Sequence, residues 1–389
     1  MSIASPFKVA VIGAGRMGTN VLRHLKQCAD PVALIACDPS PEALEAACRA
    51  TGATPMALGD LLADPQVRLV FITSSNHTHK ELAIAALRAG KAVLCEKPIA
   101  TTLEDSREVV RVAESLNAFL QIGFELRYST LYTTVKEWID HGLLGDLRSI
   151  QCSYLCSEFW GPSSWRVRAA TGGSMFGEKL SHYVDLPRWW IGRPASSIYA
   201  ACAPNVIPYF EVRDNYHATT RFQGGAVSHL TFMMAYASNS KGDPLVDTLH
   251  QQKDDGHELR FQVMGSRGGA ETNVFHRHLR RWEYRTGDRG FRSELVEERQ
   301  WEPAQDHAYF HNTLAQTLDV VERVQKGLPP RFPASDALTT MEHCHAADLA
   351  ADEGRVIHLQ PPSHPLAPPL RPQFPGQPKN GIPTFPGIN

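Results

Sequence analysis

The sequence lacks paired cysteines, an excess of charge of either sign and any long apolar run. Its eight cysteines include no CxxC pair, which favours reduced thiols over a disulfide framework. A formal net charge of −2 leaves no electrostatic footprint for nucleic acid or an anionic membrane. No uncharged apolar run approaches the ~18 residues of a membrane helix. The first predicted strand, near Lys8, leaves no room for a signal peptide. We therefore expect a soluble, cytoplasmic protein with a small-molecule substrate.

The first third of the chain alternates short apolar runs with helical patterns. The predicted strands cover residues 8–12, 32–38, 67–74, 91–98 and 118–125, and the predicted helices cover 19–28, 40–52, 79–90 and 102–116. This alternation predicts an α/β domain over residues 1–123, a doubly wound parallel sheet with helices on both faces. Ligands of such sheets bind at the carboxyl ends of the strands.

Gly13, Gly15 and Gly18 form a GxGxxG pattern directly after the first strand and at the start of a helix. The glycines permit a tight turn and close backbone approach, so the helix N-terminus can hold a pyrophosphate. Asp38 lies 20 residues beyond Gly18, where a carboxylate can bind both ribose hydroxyls. Together these features predict a Rossmann domain that binds NAD, because the carboxylate would repel the 2′-phosphate of NADP. Arg16 argues against this preference for NAD over NADP, because its guanidinium can contact a phosphate.

The middle of the chain has a different pattern. From about 145 to 300 the predicted strands are longer and alternating, which favours a large, mostly antiparallel open sheet. FQGGAVSHLTF predicts a hairpin with glycines at its turn, and the polar stretch 238–257 predicts a loop. Two helices follow, HAYFHNTLAQTLDVVERVQKG and SDALTTMEHCHAADLAADEG, so we expect an α+β domain over 124–360. The tail, 361–389, holds 10 prolines in 29 residues and predicts an extended C-terminal arm.

Two segments carry ionisable residues that suggest chemistry. The strand AVLC ends in Glu96, Lys97 and Pro98, at the edge of the sheet where ligands bind. Further on, TGGSMFGEKLSHYVDLPRWW predicts a helix after a glycine pair. Its Glu178 and His182 are four residues apart and share one helix face. Taken alone, these two residues are better explained as a surface ion pair between helical neighbours.

Motifs over residues 8 to 360 resemble the glucose-fructose oxidoreductase / inositol dehydrogenase / MocA family. In order they are GAGRMG, SSNHTHKELAIAALRAGKAVLCEKP, GFELRYS, GGSMFGEKLSHYVDLPRWW and FQVMGSRGG. Glu178 stands where the family's Asp-x-x-x-His has Asp. The resemblance implies a Rossmann domain, a mainly β second domain, and nicotinamide-dependent oxidation of sugars, cyclitols and related secondary alcohols. It also implies a homodimer or homotetramer joined through the C-terminal sheet.

The motifs and the resemblance together identify candidate site residues. Those expected to bind the cofactor are Gly13, Ala14, Gly15, Arg16, Met17, Gly18, Asp38, Thr73, Ser74, Asn76, His79, Glu96 and Lys97. Those expected to bind the substrate are Lys97, Arg127, Trp165, Arg166, Glu178 and His182. For Arg127 a structural role is the alternative, and for Trp165 the alternative is core packing.

The chemistry of alcohol oxidation explains the catalytic candidates. Hydride leaves the carbon for the nicotinamide, and the hydroxyl proton needs a positioned acceptor. A lysine accepts a proton only as the neutral amine, which desolvation beside the cationic nicotinamide favours. We therefore predict that Lys97 is the general acid/base, that His182 shares or relays the proton, and that Glu178 orients the substrate. Glu96 is expected to contact the nicotinamide ribose.

Several alternatives remain open at this point. The HCH at 343–345 does not place both histidines on one helix face, and the pair His307 and His311 lacks a third ligand, so no metal is predicted. Other functions compatible with the motifs are a redox-neutral NAD-dependent glycoside-processing enzyme, a cyclic dihydrodiol dehydrogenase and a non-catalytic NAD-binding regulator. Both Lys97 and His182 are present, which argues against the regulator. The sequence does not identify the substrate.

Overall fold

A computed structural model describes residues 7–238, 252 and 254–360. The predicted C-terminal arm, 361–389, lies outside these residues, as does most of the predicted loop 238–257. Among the described residues, no helix has the length and apolar character needed to cross a bilayer.

The first sheet is built from six parallel strands. These are β1 Lys8–Ile12, β2 Ala33–Cys37, β3 Thr54–Pro55, β4 Val67–Ile72, β5 Ala92–Glu96 and β6 Leu120–Gly123. Their order, β3-β2-β1-β4-β5-β6, places β1 and β4 at the point where the winding reverses. The prediction of a doubly wound parallel sheet is confirmed, and its ligand site is expected at that crossover.

Five helices connect these strands. They are α1 Arg16–Leu25, α2 Pro41–Thr51, α3 Leu58–Ala63, α4 His79–Arg88 and α5 Leu103–Ser115. Helix α1 begins directly after the glycine loop, three residues before its predicted start at 19, because Gly15 is its N-cap. Strand β3 and helix α3 are not predicted, since elements of two and six residues carry too little periodicity.

The second sheet has nine strands and is mostly antiparallel, as predicted. The strands are β7 Leu147–Leu155, β8 Ala195–Ala201, β9 Asn215–Phe222, β10 Val227–Met233, β11 Glu258–Gly265, β12 Gly268–Asn273, β13 His278–Gly287, β14 Gly290–Gln300 and β15 Ile357–His358. Their order is β14-β13-β12-β11-β7-β10-β9-β8-β15, and only β7 and β10 pair in parallel. The predicted hairpin is β9–β10, and Gly224 and Gly225 at its turn have φ of +84° and +90°.

The remaining helices frame this sheet. They are α6 Thr130–Asp140, α7 Ala169–Gly172, α8 Ser181–Ile191, α9 Asp306–Tyr309, α10 Thr313–Gln325 and α11 Ala334–Glu353, with a π-helical turn at Phe176–Leu180. The single helix predicted over 307–327 is wrong. The chain breaks between α9 and α10, where the Asn312 side chain accepts a hydrogen bond from the Ala315 N–H and caps α10.

The last long helices return to the first sheet. Val320 and Val321 of α10 are buried in the same apolar core as Val9 of β1 and Leu22 of α1. Helix α11 in turn packs against α5 and α8. Part of the chain beyond residue 123 is thus buried in the core of the first sheet.

Candidate active site

The glycine loop is held against the end of β4. Gly13 has φ of +97°, and a Cβ on it would lie 2.5 Å from the Ser74 nitrogen. A Cβ on Gly18 would lie 1.9 Å from the Gly13 carbonyl oxygen. Thr73 Oγ1 donates to that same carbonyl at 2.7 Å. The loop thus has one compact shape that only glycine at these two positions permits.

The residues of this loop fit a dinucleotide. Gly15, the N-cap of α1, is exposed; a Cβ on it would meet nothing within 4 Å, and no side chain caps the helix. The first N–H groups of α1 are therefore free of side-chain acceptors and suited to a phosphate. Asp38 completes the loop, because its carboxylate accepts from the Ala14 N–H at 2.6 Å and the Ser40 N–H at 2.8 Å.

The other predicted cofactor residues divide into surface and supporting positions. Arg16 is exposed, whereas the side chain of Met17 packs on the core below, leaving its backbone N–H in the first turn of α1. Ser74 Oγ pairs with Thr78 Oγ1 at 2.7 Å. Asn76 Nδ2 donates to the Gly172 carbonyl at 2.9 Å, which ties this edge of the first sheet to the glycine pair of the second domain.

The predicted cofactor contact of His79 needs correction. Its ring is fully buried, with Nδ1 2.7 Å from the Pro98 carbonyl oxygen and Nε2 3.1 Å from the Ser74 carbonyl oxygen. Both ring nitrogens are therefore occupied by this chain's own backbone. His79 fixes the turn that follows β5, including the cis peptide bond between Lys97 and Pro98.

Lys97, Glu178 and Arg166 form one ionic cluster. The Lys97 ammonium contacts Glu178 Oε2 at 2.8 Å and also bonds to the Glu178 carbonyl oxygen. Arg166 Nε contacts the other carboxylate oxygen at 2.6 Å. Burial alone would raise the pKa of Glu178, but the two cations lower it to about 2. The carboxylate is therefore ionised at neutral pH and sets the position of Lys97.

The π-helical turn explains why Glu178 and His182 have different neighbours. In a π turn the backbone bonds from i to i+5, so residues four apart lose the alignment of an α-helix. Glu178 lies within this turn and points to Lys97, whereas His182 lies in α8 and faces Glu125. The two residues were predicted to share one helix face; in the structure they have different partners, although both side chains are buried at this site.

His182 belongs to a second buried group with Glu125 and His311. Glu125 Oε1 contacts His311 Nδ1 at 2.6 Å, and its Oε2 lies 3.6 Å from His182 Nε2. Burial opposes ionisation of Glu125, but the facing imidazoles keep its pKa below the usual range of a carboxyl. Burial lowers the pKa of His182 to about 3, and Glu125 offsets this only in part. His182 is thus a neutral imidazole at pH 7.

Two atoms of this group lack hydrogen-bond partners. In the described part of the chain, the buried Glu125 Oε2 and His182 Nδ1 have none. Buried polar atoms are nearly always paired in folded proteins. An unpaired imidazole nitrogen beside a catalytic candidate is therefore the feature expected where a substrate hydroxyl or an ordered water completes the site.

Glu96 faces the interior next to these residues. A Cβ on Gly123 would lie 2.7 Å from its Oε2, so the glycine at the end of β6 makes room for this carboxyl. Burial, followed by the charge of Glu125, raises the pKa of Glu96 to about 8. At neutral pH Glu96 is mainly protonated, so it can donate a hydrogen bond. Its contact with the nicotinamide ribose stays a prediction.

Arg127 has a structural role, and its predicted substrate contact needs correction. Its guanidinium is 2% exposed and binds Asp185 through two hydrogen bonds of 2.6 and 2.7 Å. A third contact of 2.7 Å reaches Asp336 of α11. These contacts engage all three guanidinium nitrogens of Arg127 with buried carboxylates. Arg127 therefore joins α8 to α11.

Sequence reasoning missed Glu125 and gave His311 another role. Glu125 follows the carboxyl end of β6 by two residues, the same placement that singled out Lys97, so this signal was present. His311 lies in the break between α9 and α10, which removes it from the helix face of His307. Within residues 7–238, 252 and 254–360, no three His, Cys, Asp or Glu side chains are grouped as metal ligands.

Comparisons with known proteins agree with this architecture. Residues 7–124 match the oxidoreductase family with an NAD-binding Rossmann fold, and residues 132–271 match the GFO/IDH/MocA C-terminal domain. The rhizopine catabolism protein MocA of Rhizobium meliloti is 25% identical over 365 residues, 90% of this chain and 99% of that protein. The myo-inositol 2-dehydrogenase of Thermotoga maritima is 24% identical over 365 residues, 91% of this chain and 98% of that protein.

A levoglucosan dehydrogenase of Pseudarthrobacter phenanthrenivorans is 33% identical over 138 residues, 34% of this chain and 35% of that protein. A solved levoglucosan dehydrogenase in complex with NADH and levoglucosan has a TM-score of 0.75 at 22% identity. The superposition covers 91% of this chain and 99% of that chain, and at this identity it shows a common fold. The chain belongs to the Gfo/Idh/MocA oxidoreductase family, with an NAD-binding Rossmann domain followed by the C-terminal domain of that family.

Proposed function

We propose that this protein is an NAD-dependent dehydrogenase that oxidises a secondary hydroxyl of a sugar, glycoside or cyclitol. The observation that carries the proposal is the position of Lys97, at the carboxyl end of β5, held by Glu178 from the second domain and close to the neutral imidazole of His182. The names of the relatives support it, since they include inositol and levoglucosan dehydrogenases.

The glycine loop and Asp38 would hold the cofactor. The N–H groups at the start of α1 suit the pyrophosphate, and the Asp38 carboxylate suits the two hydroxyls of the adenosine ribose. When bound, NAD supplies the hydride acceptor. Because Glu96 is mainly protonated, it can donate to an oxygen of the nicotinamide ribose.

Lys97 and His182 would handle the hydroxyl proton. Lys97, which is bonded to the ionised Glu178, can donate a hydrogen bond to the substrate oxygen and stabilise negative charge that develops on it. The unpaired Nδ1 of neutral His182 can accept the proton. Glu125, next to Nε2 of the same ring, would stabilise the imidazolium that forms. In this mechanism the main role of Glu178 is to orient Lys97, and its role in orienting the substrate is secondary.

A nicotinamide absorbance screen tests the proposal. Purified protein with NAD is offered neutral sugars, sugar acids, glycosides, inositols and cyclic dihydrodiols, and NADH formation is followed with time. The expected result is stoichiometric NADH with at least one class, formed at least about 100-fold more slowly by the variant Lys97→Ala. Release of a cleaved aglycone without net NADH would instead support the redox-neutral glycoside-processing enzyme. Tight NAD binding with no turnover across the panel would favour the regulator.

The proposal also covers the oligomeric state and the cellular location of the protein. We infer a homodimer or homotetramer through the second sheet, where Phe291 and Leu295 of β14 are 67% and 50% exposed. Apolar side chains presented by an exposed strand commonly pack against another copy. A cytoplasmic location agrees with eight free cysteines, of which Cys37, Cys95 and Cys152 are buried.

A further inference from the structure

The guanidinium of Arg166 lies at the edge of the site, and only some of its N–H donors have a hydrogen-bond partner among the described residues. Its Nε is bound to Glu178, and its side chain is 37% exposed. Among the described residues, its two terminal nitrogens have no hydrogen-bond partner. A guanidinium offers five donors in a planar fork. The free side of this fork matches the geometry of a carboxylate.

The position of this fork is fixed by its surroundings. The guanidinium lies over the Trp165 ring, with Cζ 4.3 Å from the ring centroid. Thr171 Oγ1 donates to the Trp165 carbonyl at 2.6 Å, and a Cβ on Gly172 would lie 2.6 Å from the Arg166 carbonyl oxygen. The glycine pair therefore allows the Arg166 backbone to pack closely. Asn76 of the first domain donates a hydrogen bond to the Gly172 carbonyl, so the position of Arg166 is also fixed relative to the first domain.

The Arg166 guanidinium shares its one carboxylate partner with Lys97. Lys97 and Arg166 are both positive, and the Glu178 carboxylate between them carries a single negative charge. Glu96 adds little negative charge at neutral pH because its pKa lies at about 8. The ionised Glu125 has its negative charge next to His182, His311 and Lys97, and Arg166 is not among its contacts. An anionic group on the ligand would restore the balance on the side of Arg166.

We propose that Arg166 binds a carboxylate of the substrate, so that the preferred substrates are acidic sugars such as uronates and other polyhydroxy acids. This inference rests on the proposed dehydrogenase function for the identity of the reacting group. Lys97 and Arg166 are close together, because they contact the two carboxylate oxygens of Glu178 at 2.8 and 2.6 Å. A ligand that places its reacting hydroxyl at Lys97 and its carboxylate at Arg166 therefore has these two groups only a few bonds apart.

Calorimetric titration of the protein–NADH complex tests this assignment. NADH replaces NAD so that the sugar binds without being oxidised. The probes are matched pairs, D-glucuronate against D-glucose and D-galacturonate against D-galactose. We expect each acid to bind about 10- to 100-fold more tightly than its neutral partner, the range given by hydrogen bonds to a charged group. Arg166→Gln should abolish this difference, and Arg166→Lys should retain part of it because the charge remains.

Arg168 supplies the matched control. It lies on the same loop, its side chain is 54% exposed, and it pairs with Glu211 at 2.8 Å. Arg168→Gln removes the same charge and should leave the acid preference unchanged. NADH fluorescence on binding shows that each variant is folded.

Two results would overturn the assignment. One is the absence of any acid in the panel that binds more tightly than its neutral partner. The other is an acid preference that survives Arg166→Gln or disappears equally in Arg168→Gln. Failure of the proposed function is separate: acids that bind through Arg166 but yield no NADH with NAD would contradict the dehydrogenase and leave the carboxylate site in place.

Discussion

Replacement of Asp38 should change the choice between NADH and NADPH. The half-buried Asp38 carboxylate lies at the end of β2, 2.6 Å from the Ala14 N–H of the glycine loop. NADPH would bring a 2′-phosphate with a charge of about −1.5 to −2 toward this carboxylate. We expect wild-type protein to bind NADH clearly more tightly than NADPH, and Asp38→Ser to narrow that gap.

The size of the effect follows from the charge and the exposure. Two unit charges about 4 Å apart repel by about 1 kcal/mol in water and about 4 kcal/mol at a protein surface of lower effective dielectric. For a half-buried carboxylate we take about 2 kcal/mol, which corresponds to roughly a 30-fold ratio of dissociation constants. Asp38 also orders the loop through Ala14 and Ser40, so NADH binding itself should weaken in the serine variant.

Fluorescence titration with NADH and NADPH measures both constants without knowledge of the substrate. Asp38→Asn separates the two roles of the residue, because the amide keeps an acceptor oxygen and removes the charge. Glu45→Gln is the control, since Glu45 is an exposed carboxylate of α2 that pairs with Arg49. The reasoning would be refuted by wild-type constants for NADH and NADPH within about twofold of each other. A control variant that shifts the ratio as much as Asp38→Ser would refute it too.

Further predictions concern the ionic clusters. Lys97→Ala should lower kcat by roughly 10²–10⁴ with the NADH dissociation constant unchanged, and a loss of only a few-fold would leave the proton transfer to His182 alone. Glu178→Asp should mainly raise KM, and Glu178→Gln should lower kcat; wild-type kinetics with a reduced melting temperature in both would limit Glu178 to a structural role. Because the pKa of Glu178 falls from 4.5 to about 2 on folding, its contribution to stability is present above pH 4.5. The melting-temperature difference between wild type and Glu178→Gln should therefore shrink as the pH falls from 4.5 to about 2. Arg127→Met removes the bidentate cation from the buried Asp185 and leaves it only Thr340 and the more distant Arg188, so it should cost about 3–5 kcal/mol by denaturant unfolding, whereas an unchanged midpoint with a raised KM would restore its substrate role.

Most of the fold follows from patterns that are visible in the sequence. Continuous apolar runs between helical repeats predict the first sheet, because strands buried on both faces cannot alternate in polarity. The glycine turn predicts the hairpin β9–β10 for an equally local reason. The break between α9 and α10 was missed because the apolar repeat continues through it. A polar cap on one side chain, Asn312, decides the boundary there.

The site was predictable where a residue's role is set by its own strand or loop, as for Gly13, Asp38 and Lys97. It was not predictable where partners come from distant segments. Glu125 and His311 are 186 residues apart in the chain, and nothing in either neighbourhood indicates the pairing. The π-helical turn had a similar effect, since helical spacing alone put Glu178 beside His182.

Helix α10 has a consequence for how the protein is made. Its Val320 and Val321 cover a core that begins with Val9, yet the ribosome adds them only after eight of the nine strands of the second sheet. Domains near the N-terminus usually fold first during synthesis. Here the first sheet keeps an apolar face open until residue 321 has emerged from the exit tunnel. A nascent chain halted before α10 should therefore expose that face to chaperones, and a fragment that ends at Gly123 should aggregate unless α10 is supplied with it.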